Sequence, residues 1–485
     1  MKLLTEILYK VRIEEVVGST HVAISTICFD SRQAEKFGLF VAISGTQSDG
    51  HKYISQVIDK GCNTIVCEIL PDEIDEKVTY IKVKNSQAAL AVMAANYYNY
   101  PSRKLKLIGI TGTNGKTTSA TLLYKLFSAL GYKTGLISTV KNVIVNTEII
   151  ATHTTPDSLS LNKLLQEMLD SGVTHCFMEV SSHAVVQHRI DEIIFAGAAF
   201  TNITHDHLDY HVTFENYLAA KKGFFDMLPH AAFALSNKDD RNGTVILQNT
   251  KAKKHYYALQ QMADFKCRII ESSFSGLMLS LNNTEVWLKL IGSFNAYNIT
   301  MVYAIATLLG ENKTNILTTL STLNAVDGRF QFVKSDNGII GIVDYAHTPD
   351  ALDNVLKTIN DIRTNNEQLI TIVGCGGNRD ALKRPIMAKI ACQNSNKIIL
   401  TSDNPRNENP EEILSQMQAG VEAQYTNKVL SIVDRRQAIK TACMLAKKGD
   451  IILVAGKGHE KYQEINGVKN HFDDVEELAN AFASA

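Results

Sequence analysis

Between Leu107 and Thr118 the chain reads LIGITGTNGKTT. A mostly apolar run, Leu105 to Ile110, has the character of a buried parallel strand. It breaks into a turn carrying Gly112, Thr113, Asn114 and Gly115, then Lys116, Thr117 and Thr118. A helical pattern follows, with Leu123, Leu126, Phe127 and Leu130 on one side. Strand, glycine loop, Lys-Thr and helix, in that order, lay out a phosphate-binding loop. Glycines let backbone N–H groups turn inward around an anion, and the helix N-terminus adds its positive end. Lys116 can neutralise the outer phosphates of a nucleoside triphosphate, and Thr117 can offer a hydroxyl to Mg²⁺. The spacing departs from the standard motif, because the position five before Gly115 is Ile110.

Other residues have chemistry to offer downstream. Glu179 ends the apolar run VTHCFMEV, where a carboxylate can face a nucleotide bound at the loop and hold Mg²⁺; it can equally be a plain strand-end carboxylate. HDHLDYH, from His205 to His211, puts three histidines and two aspartates in seven residues. It hints at a metal but has no zinc-type spacing. Lys221 and Lys222 are adjacent on a helical stretch, a pattern that normally reads as a solvated face. Asn295 and Asn298 can read a base edge or cap a helix. Near the N-terminus, Asp30-Ser31-Arg32 and Asp49-Gly50-His51 read as turn and N-cap chemistry.

These residues need α/β elements to position them. The stretch from Phe29 to Glu68 reads as strand, Gly/Asp loop, helix and strand, within a first unit covering residues 1–100. Tyr97 to Lys106, with Pro101, reads as a linker. The phosphate-loop strand opens a second unit, 101–328, with further strands at Thr134–Ser138 and Val173–Val180. The third unit, 329–485, alternates strands at Ile339–Val343, Leu369–Val373, Lys397–Leu400, Val429–Val433 and Asp450–Val454 with helices. That pattern predicts a doubly wound, mostly parallel sheet, and such sheets bind ligands at the carboxyl ends of their strands. The strand ends are DYAH (344–347), GCGGNRD (374–380), SDNPR (402–406) and AGKGHE (455–460). Four loops rich in Gly, Arg, Lys, Asp and His on one edge exceed what turn chemistry explains.

The bulk numbers agree. A chain of 485 residues exceeds one core, and about three domains are expected. Its net charge of -1 excludes bulk electrostatic binding to nucleic acid or anionic membrane. The N-terminus carries charges inside its only apolar stretch, and no run approaches a membrane span. The eight cysteines lack CxxC pairs, so the expectation is a reduced, cytoplasmic protein.

Taken in order, TGTNGKTT, EVSSHA, DHLDYH, YLAAK, DYAHTPDAL, GCGGNRD with KRP, DNPR and GKGHE resemble the Mur ligases of bacterial cell-wall synthesis, and within them the diaminopimelate-adding type. The resemblance spans nearly the whole chain, and the unusual loop spacing is the form this family uses. It implies a small N-terminal α/β domain, a central P-loop ATPase-like domain and a C-terminal Rossmann-like domain. It also implies a monomer that joins an amino acid to a UDP-linked peptide through an acyl-phosphate made from ATP. Lys116 would hold the β- and γ-phosphates; Thr117, Glu179 and His207 would serve Mg²⁺. Lys221 matches a lysine the family carbamylates to N6-carboxylysine, which can hold a second Mg²⁺. Asn298 would meet the adenine, Arg329 the phosphates, and Asp344 and His347 would line the same cleft. Ser31, His51, Thr154, Thr155, Ser181, Gln187 and Arg189 would bind the UDP-MurNAc-dipeptide. Arg379, Asp403, Asn404, Pro405, Arg406, Gly456 and Glu460 would bind meso-diaminopimelate. The sequence departs from the family at Asn378, where Asp is usual, and at Val212, where Gly is.

The rival enzyme readings are a ligase that adds L-lysine and a folylpolyglutamate synthetase; the DSR…DGH unit and the HTTPD loop disfavour the latter. A regulatory GTPase would need an NKxD-like motif, and none accompanies this loop. Diaminopimelate carries a carboxylate that lysine lacks. Arg406 can grip it, while with lysine Arg406 is expected to be an unpaired buried cation.

Overall fold

In a computed structural model the described residues are 1–45, 48–364 and 366–484, with Asp209 described by its backbone only. They build three main sheets. The first has five strands in the order Ile13–Val17, Thr79–Val83, Thr64–Cys67, Leu39–Val41, Ile27–Cys28, parallel except for the first pair. The expected strand, loop, helix and strand are present as Leu39–Val41, a 3₁₀ turn, the helix Ile54–Asp59 and Thr64–Cys67. The segment read as a linker is packed down instead. Pro101–Lys104 forms a 3₁₀ turn, and the Ser102 hydroxyl accepts a hydrogen bond from the Ile194 N–H at 3.0 Å.

The central sheet has eleven strands. Its middle runs Thr134–Ile137, His175–Glu179, Lys106–Thr111, Gly197–Phe200, Phe233–Asn237, Lys253–Ala258, Phe265–Ser273, all parallel. Antiparallel strands finish both ends. The phosphate-loop strand is buried on both faces, which is why it reads as a continuous apolar run. Leu122, Leu123, Leu126 and Phe127 of the helix Lys116–Ala129 cover one face. Phe195, Phe224 and Leu165 lie in the cluster on the other. Register then sets the site: Glu179 stands opposite Ile110, and Phe200 opposite Thr111. The segments that leave these three strands therefore emerge together on one edge.

The third sheet runs Gln331–Lys334, Ile340–Asp344, Ile451–Ala455, Leu369–Val373, Lys397–Leu400, Val429–Ser431. All five expected strands are there; Leu369–Val373 and Lys397–Leu400 keep their expected bounds, and the other three differ by one or two residues at their ends. The antiparallel edge strand Gln331–Lys334 was not foreseen. Helices Pro349–Ile362 and Lys383–Asn394 cover one face, and Arg435–Leu445 and Asp474–Ser484 the other, giving a doubly wound layer. All eight cysteines are free and buried, and no helix among the described residues is long and apolar enough to cross a membrane.

Candidate active site

The glycines of the phosphate loop answer to geometry. Gly112 has φ 147°, and a Cβ there would stand 1.8 Å from Thr201 Oγ1; Gly115 has φ 87°, and its Cβ would stand 2.5 Å from Asn298 Oδ1. Only glycine meets both demands. Lys116 opens the helix and curls back, its Nζ donating to the carbonyls of Gly112 (2.8 Å) and Thr113 (2.9 Å). Lys221 reaches the same place from the helix Phe214–Asp226. It is 1% exposed, and its Nζ donates to Gly112 O at 2.9 Å. The solvated-face expectation therefore fails at Lys221 and holds only for Lys222, which pairs with Asp226 at 2.7 Å. Tyr217 and Lys221 are one helical turn apart and share a face. The Lys221 ammonium lies 4.6 Å from the Tyr217 ring centroid, and the Tyr217 hydroxyl meets Thr113 Oγ1 at 3.0 Å. Burial pushes the Lys221 pKa well below the ordinary lysine value, and nearby Lys116 pushes it further. Burial lowers Lys116 as well. Two amines thus converge on one carbonyl, and neither makes an ion pair with a carboxylate there.

Around them stand the acids. Glu179 is fully buried, its carboxylate accepting from the Thr139 N–H (2.8 Å) and Thr139 Oγ1 (3.2 Å). His207 sits in left-handed backbone, φ 55°, with Nε2 3.5 Å from Asp206 Oδ2. Burial drops its pKa to about 4, so the ring is neutral at pH 7. Burial works against the charge of Asp206, but His207, His347, Lys383 and Lys116 together hold its pKa below the usual value. Among the described residues no group of three or more His, Cys, Asp or Glu side chains gathers as a metal site. Glu179, Asp206 and the Thr117 hydroxyl offer oxygen and His207 a neutral imidazole; they are the donor types near the loop, although they do not converge on one point here. That set fits Mg²⁺ rather than a soft metal.

The third unit reaches over this edge. Arg329 Nη2 donates to Thr117 Oγ1 at 3.3 Å, and its guanidinium lies 4.6 Å from the Tyr345 ring centroid. Asp344 accepts from the Phe330 N–H at 2.7 Å, which fixes the chain beside Arg329; burial raises its pKa to about 6. Asn114 Nδ2 donates to Asp350 Oδ2 at 2.7 Å. His347 bonds through Nδ1 to the Tyr345 carbonyl (2.9 Å), and burial lowers it to about 4. Asn298 lies beneath the loop, its Oδ1 within 3.4 Å of Ser119 Oγ and its Nδ2 bonded to Asn295. Its Oδ1 stands where a Cβ at position 115 would go, which holds that position to glycine.

Between the first two units is a cavity of ≈ 680 Å³, in the size range of small-molecule sites. Asp30, Ser31, Arg32 and Tyr53 line it from one side, and Gln187 and Arg189 from the other. Asp30 and Asp49 are the turn caps expected, accepting from the N–H groups of Arg32 and His51. His51 does not line the cavity. Its Nδ1 meets Asp49 at 2.7 Å and its Nε2 accepts from the Glu68 N–H at 3.0 Å, so it holds the loop. Thr154, Thr155 and Ser181 stand behind the wall: Thr155 Oγ1 takes the Ser181 N–H and donates to the Glu179 carbonyl, Thr139 donates to Thr154, and Arg189 Nη1 donates to Thr155 O at 2.7 Å.

On the third sheet, the loops after Val373, Leu400 and Ala455 meet. Asn404 Nδ2 donates to Glu460 at 2.7 Å, and Lys457 Nζ donates to Asn404 Oδ1 at 3.0 Å. A Cβ on Gly456 would stand 2.5 Å from Asp403 Oδ2. Arg379 is exposed. Arg406 has partners within the protein: its Nη1 donates to Gly377 O at 2.7 Å, and its Nε lies 3.8 Å from Glu464. Pro405 is buried between Asn404 and Arg406. Sequence reasoning gave no role to Asp206, Lys457 or Arg384, although HDHLDYH, GKGHE and KRP contain them.

A phosphate loop with two converging lysines, capped by a doubly wound domain, defines the class of multidomain nucleotide-binding α/β enzymes. The chain belongs to the Mur ligase family and is thus an amide-bond-forming ligase. The Mur ligase middle domain matches residues 110–306, the Mur ligase glutamate ligase domain 328–458, and the Mur ligase family catalytic domain 23–98. The chain is 57% identical over 470 residues to UDP-N-acetylmuramoyl-L-alanyl-D-glutamate–2,6-diaminopimelate ligase of Cytophaga hutchinsonii, covering 97% of this chain and 96% of that one. It is 54% identical to the enzyme of the same name from Phocaeicola vulgatus, covering 99% of each. A solved structure of a ligase of that name superposes with a TM-score of 0.70 at 32% identity, covering 100% of this chain and 99% of the other.

Proposed function

We propose that this chain adds meso-2,6-diaminopimelate to UDP-N-acetylmuramoyl-L-alanyl-D-glutamate at the expense of ATP, giving the UDP-linked tripeptide, ADP and phosphate. The carrying observation is the convergence of Lys116 and Lys221 on Gly112 O at 2.8 and 2.9 Å. A fully buried amine and a half-buried one at the mouth of a phosphate loop call for a polyanion there. Residues 101–328 carry ATP, 1–100 with the facing wall carry the UDP-dipeptide, and 329–485 carry the amino acid. The protein works as a monomer in the cytoplasm.

A carboxylate is a poor electrophile. Transfer of the γ-phosphoryl group to the substrate's glutamyl carboxylate forms a C–O–P bond and releases ADP; the transfer needs charge neutralisation above all. Lys116 and Arg329 supply it from opposite sides of the loop. Thr117, Glu179 and His207, with Lys221 as its carbamate, would hold Mg²⁺, which when bound offsets the phosphate charge. The low pKa of Lys221 favours this, since an uncharged amine is the form that takes up CO₂. The diaminopimelate amine then attacks the acyl carbon, the C–O bond to phosphate breaks, and phosphate leaves with the amine's proton. Asp344 and His347 position Arg329 and the roof, which keeps water from the acyl-phosphate. Ser31, Gln187 and Arg189 grip the UDP-dipeptide, and Arg189 suits its pyrophosphate or carboxylate. Arg406 and Arg379 serve the distal carboxylate of diaminopimelate, and Asp403 with Glu460 its ammonium.

Coupled detection of ADP tests this reading. ADP release should need both the UDP-dipeptide and the amino acid; release with neither marks a simple nucleotidase and overturns the proposal.

A further inference from the structure

Arg384 sits in the first turn of the helix Lys383–Asn394, and it is among the largest fully buried side chains, 1% exposed. A buried guanidinium needs partners, and Arg384 finds them at both terminal nitrogens, while its Nε has none. Here its Nη1 lies 2.8 Å from Glu408 Oε2 and donates to Gln416 Oε1 at 2.7 Å; its Nη2 donates to Gly376 O at 3.2 Å and Glu408 Oε1 at 3.0 Å. Gly376 and Glu408 belong to two different loops, and Gln416 to the helix Pro410–Gln418. Gly376 lies in the loop after the strand Leu369–Val373, which carries Arg379. Glu408 ends the loop after Lys397–Leu400, which carries Asn404 and Arg406. Glu408 also accepts the backbone N–H of Asn378 across the gap.

The same two loops are laced by three more bonds. The Gly377 N–H donates to Asn404 O at 2.9 Å, the Asn407 N–H donates to Asn378 Oδ1 at 3.1 Å, and Arg406 Nη1 donates to Gly377 O at 2.7 Å. Asn378 and Arg406 both sit in left-handed backbone, φ 53° and 52°. Such conformations persist only where the surroundings over-determine them. Asn378, where the family resemblance has Asp, still supplies the oxygen that the lacing uses.

We infer that the buried Arg384–Glu408 pair is a clamp that sets the spacing of the two loops presenting Arg379 and Arg406, making both residues positioning residues for the incoming amino acid. The inference rests on the third sheet carrying that substrate, as argued above. Neither side chain has to touch the substrate. Their bonds fix where two arginines stand, and small misplacements of a binding group are costly far beyond their size.

The test is steady-state kinetics of Arg384→Met and Glu408→Gln with all three substrates. Both should raise the KM for diaminopimelate, Arg384→Met by about tenfold or more, and leave the KM for ATP and for the UDP-dipeptide within about twofold. Glu408→Gln should be milder, because the amide oxygen still accepts from Arg384 and Asn378. Unchanged diaminopimelate KM in the folded variants overturns the clamp, and so does an equal rise in all three KM values. If Arg384→Met fails to fold, Glu408→Gln alone decides by the same criteria. The unmutated chain run alongside separates the two claims: no product with diaminopimelate overturns the substrate reading, while product with unshifted variants overturns the clamp alone.

Discussion

Replacing Lys221 with methionine should make the protein more stable and inactive at once. Methionine matches lysine's length without its charge. The only hydrogen bond lost is to Gly112 O, and that carbonyl keeps the Lys116 donor at 2.8 Å, so no buried acceptor is orphaned. What disappears is the cost of a fully buried amine. Burial, then Lys116, lowers the Lys221 pKa well below 10.5 in the folded protein. Unfolded lysine keeps its proton up to 10.5, so between the two values the unfolded state binds more protons. The unmutated protein therefore gains stability as pH rises through that window, by about 1.4 kcal/mol per unit. The variant has no such dependence. Its advantage, about 1–4 kcal/mol as for other buried charges replaced by apolar groups, is full below the folded pKa and shrinks toward pH 10.5. Urea unfolding in CO₂-free buffer at two pH values reads this. The signal is the fluorescence of Trp287, the single tryptophan, on the edge strand Thr284–Leu288 of the central sheet. The same variant should make no product, with partial rescue by acetate standing in for the carbamate. A less stable variant, a gap that ignores pH, or full activity without additive would each refute the reasoning.

Lys116→Ala should cut ADP release by about 10²-fold or more and shift the unfolding free energy by less than about 1 kcal/mol; a near-normal rate means the loop is not the ATP site. Arg406→Ala should raise the KM for diaminopimelate by about 30-fold or more with that for ATP nearly unchanged; initial-rate kinetics with each substrate varied would show otherwise. Burial holds His207 and His347 near pKa 4 and His459 near 3, against 6.5 when unfolded. The unfolded state then binds more protons below pH 6.5. Stability should fall as pH drops from 6.5 toward 4, by up to about 1.4 kcal/mol per unit for each histidine; equal unfolding midpoints at pH 7 and 5 would contradict the assignment.

The sequence made the strands legible because parallel strands buried on both faces read as unbroken apolar runs. His175–Glu179 and Leu369–Val373 are of this kind. The phosphate loop was legible because its glycines answer to backbone demands that no other residue meets. Lys221 was not. A lysine beside a lysine on a helix carries no local mark of burial, and only the facing Tyr217 and Gly112 O decide its fate. At His51 the turn and N-cap reading was legible, but its bond to the Glu68 N–H was not, because Glu68 is distant in sequence. The partners of Arg406 within the protein, Gly377 and Glu464, were not legible for the same reason: they come from other parts of the chain. The edge strand Gln331–Lys334 is short and half-buried, so its pattern is weak.

The central claim is best tested by mass. The protein is incubated with ATP, Mg²⁺ and UDP-MurNAc-L-Ala-D-Glu, with meso-diaminopimelate and L-lysine offered in parallel, and the products are weighed. The account predicts the diaminopimelate tripeptide, with lysine disfavoured by about 10²-fold or more because it leaves the arginine edge unanswered. Equal catalytic efficiency with both amino acids, or product with lysine alone, would contradict it.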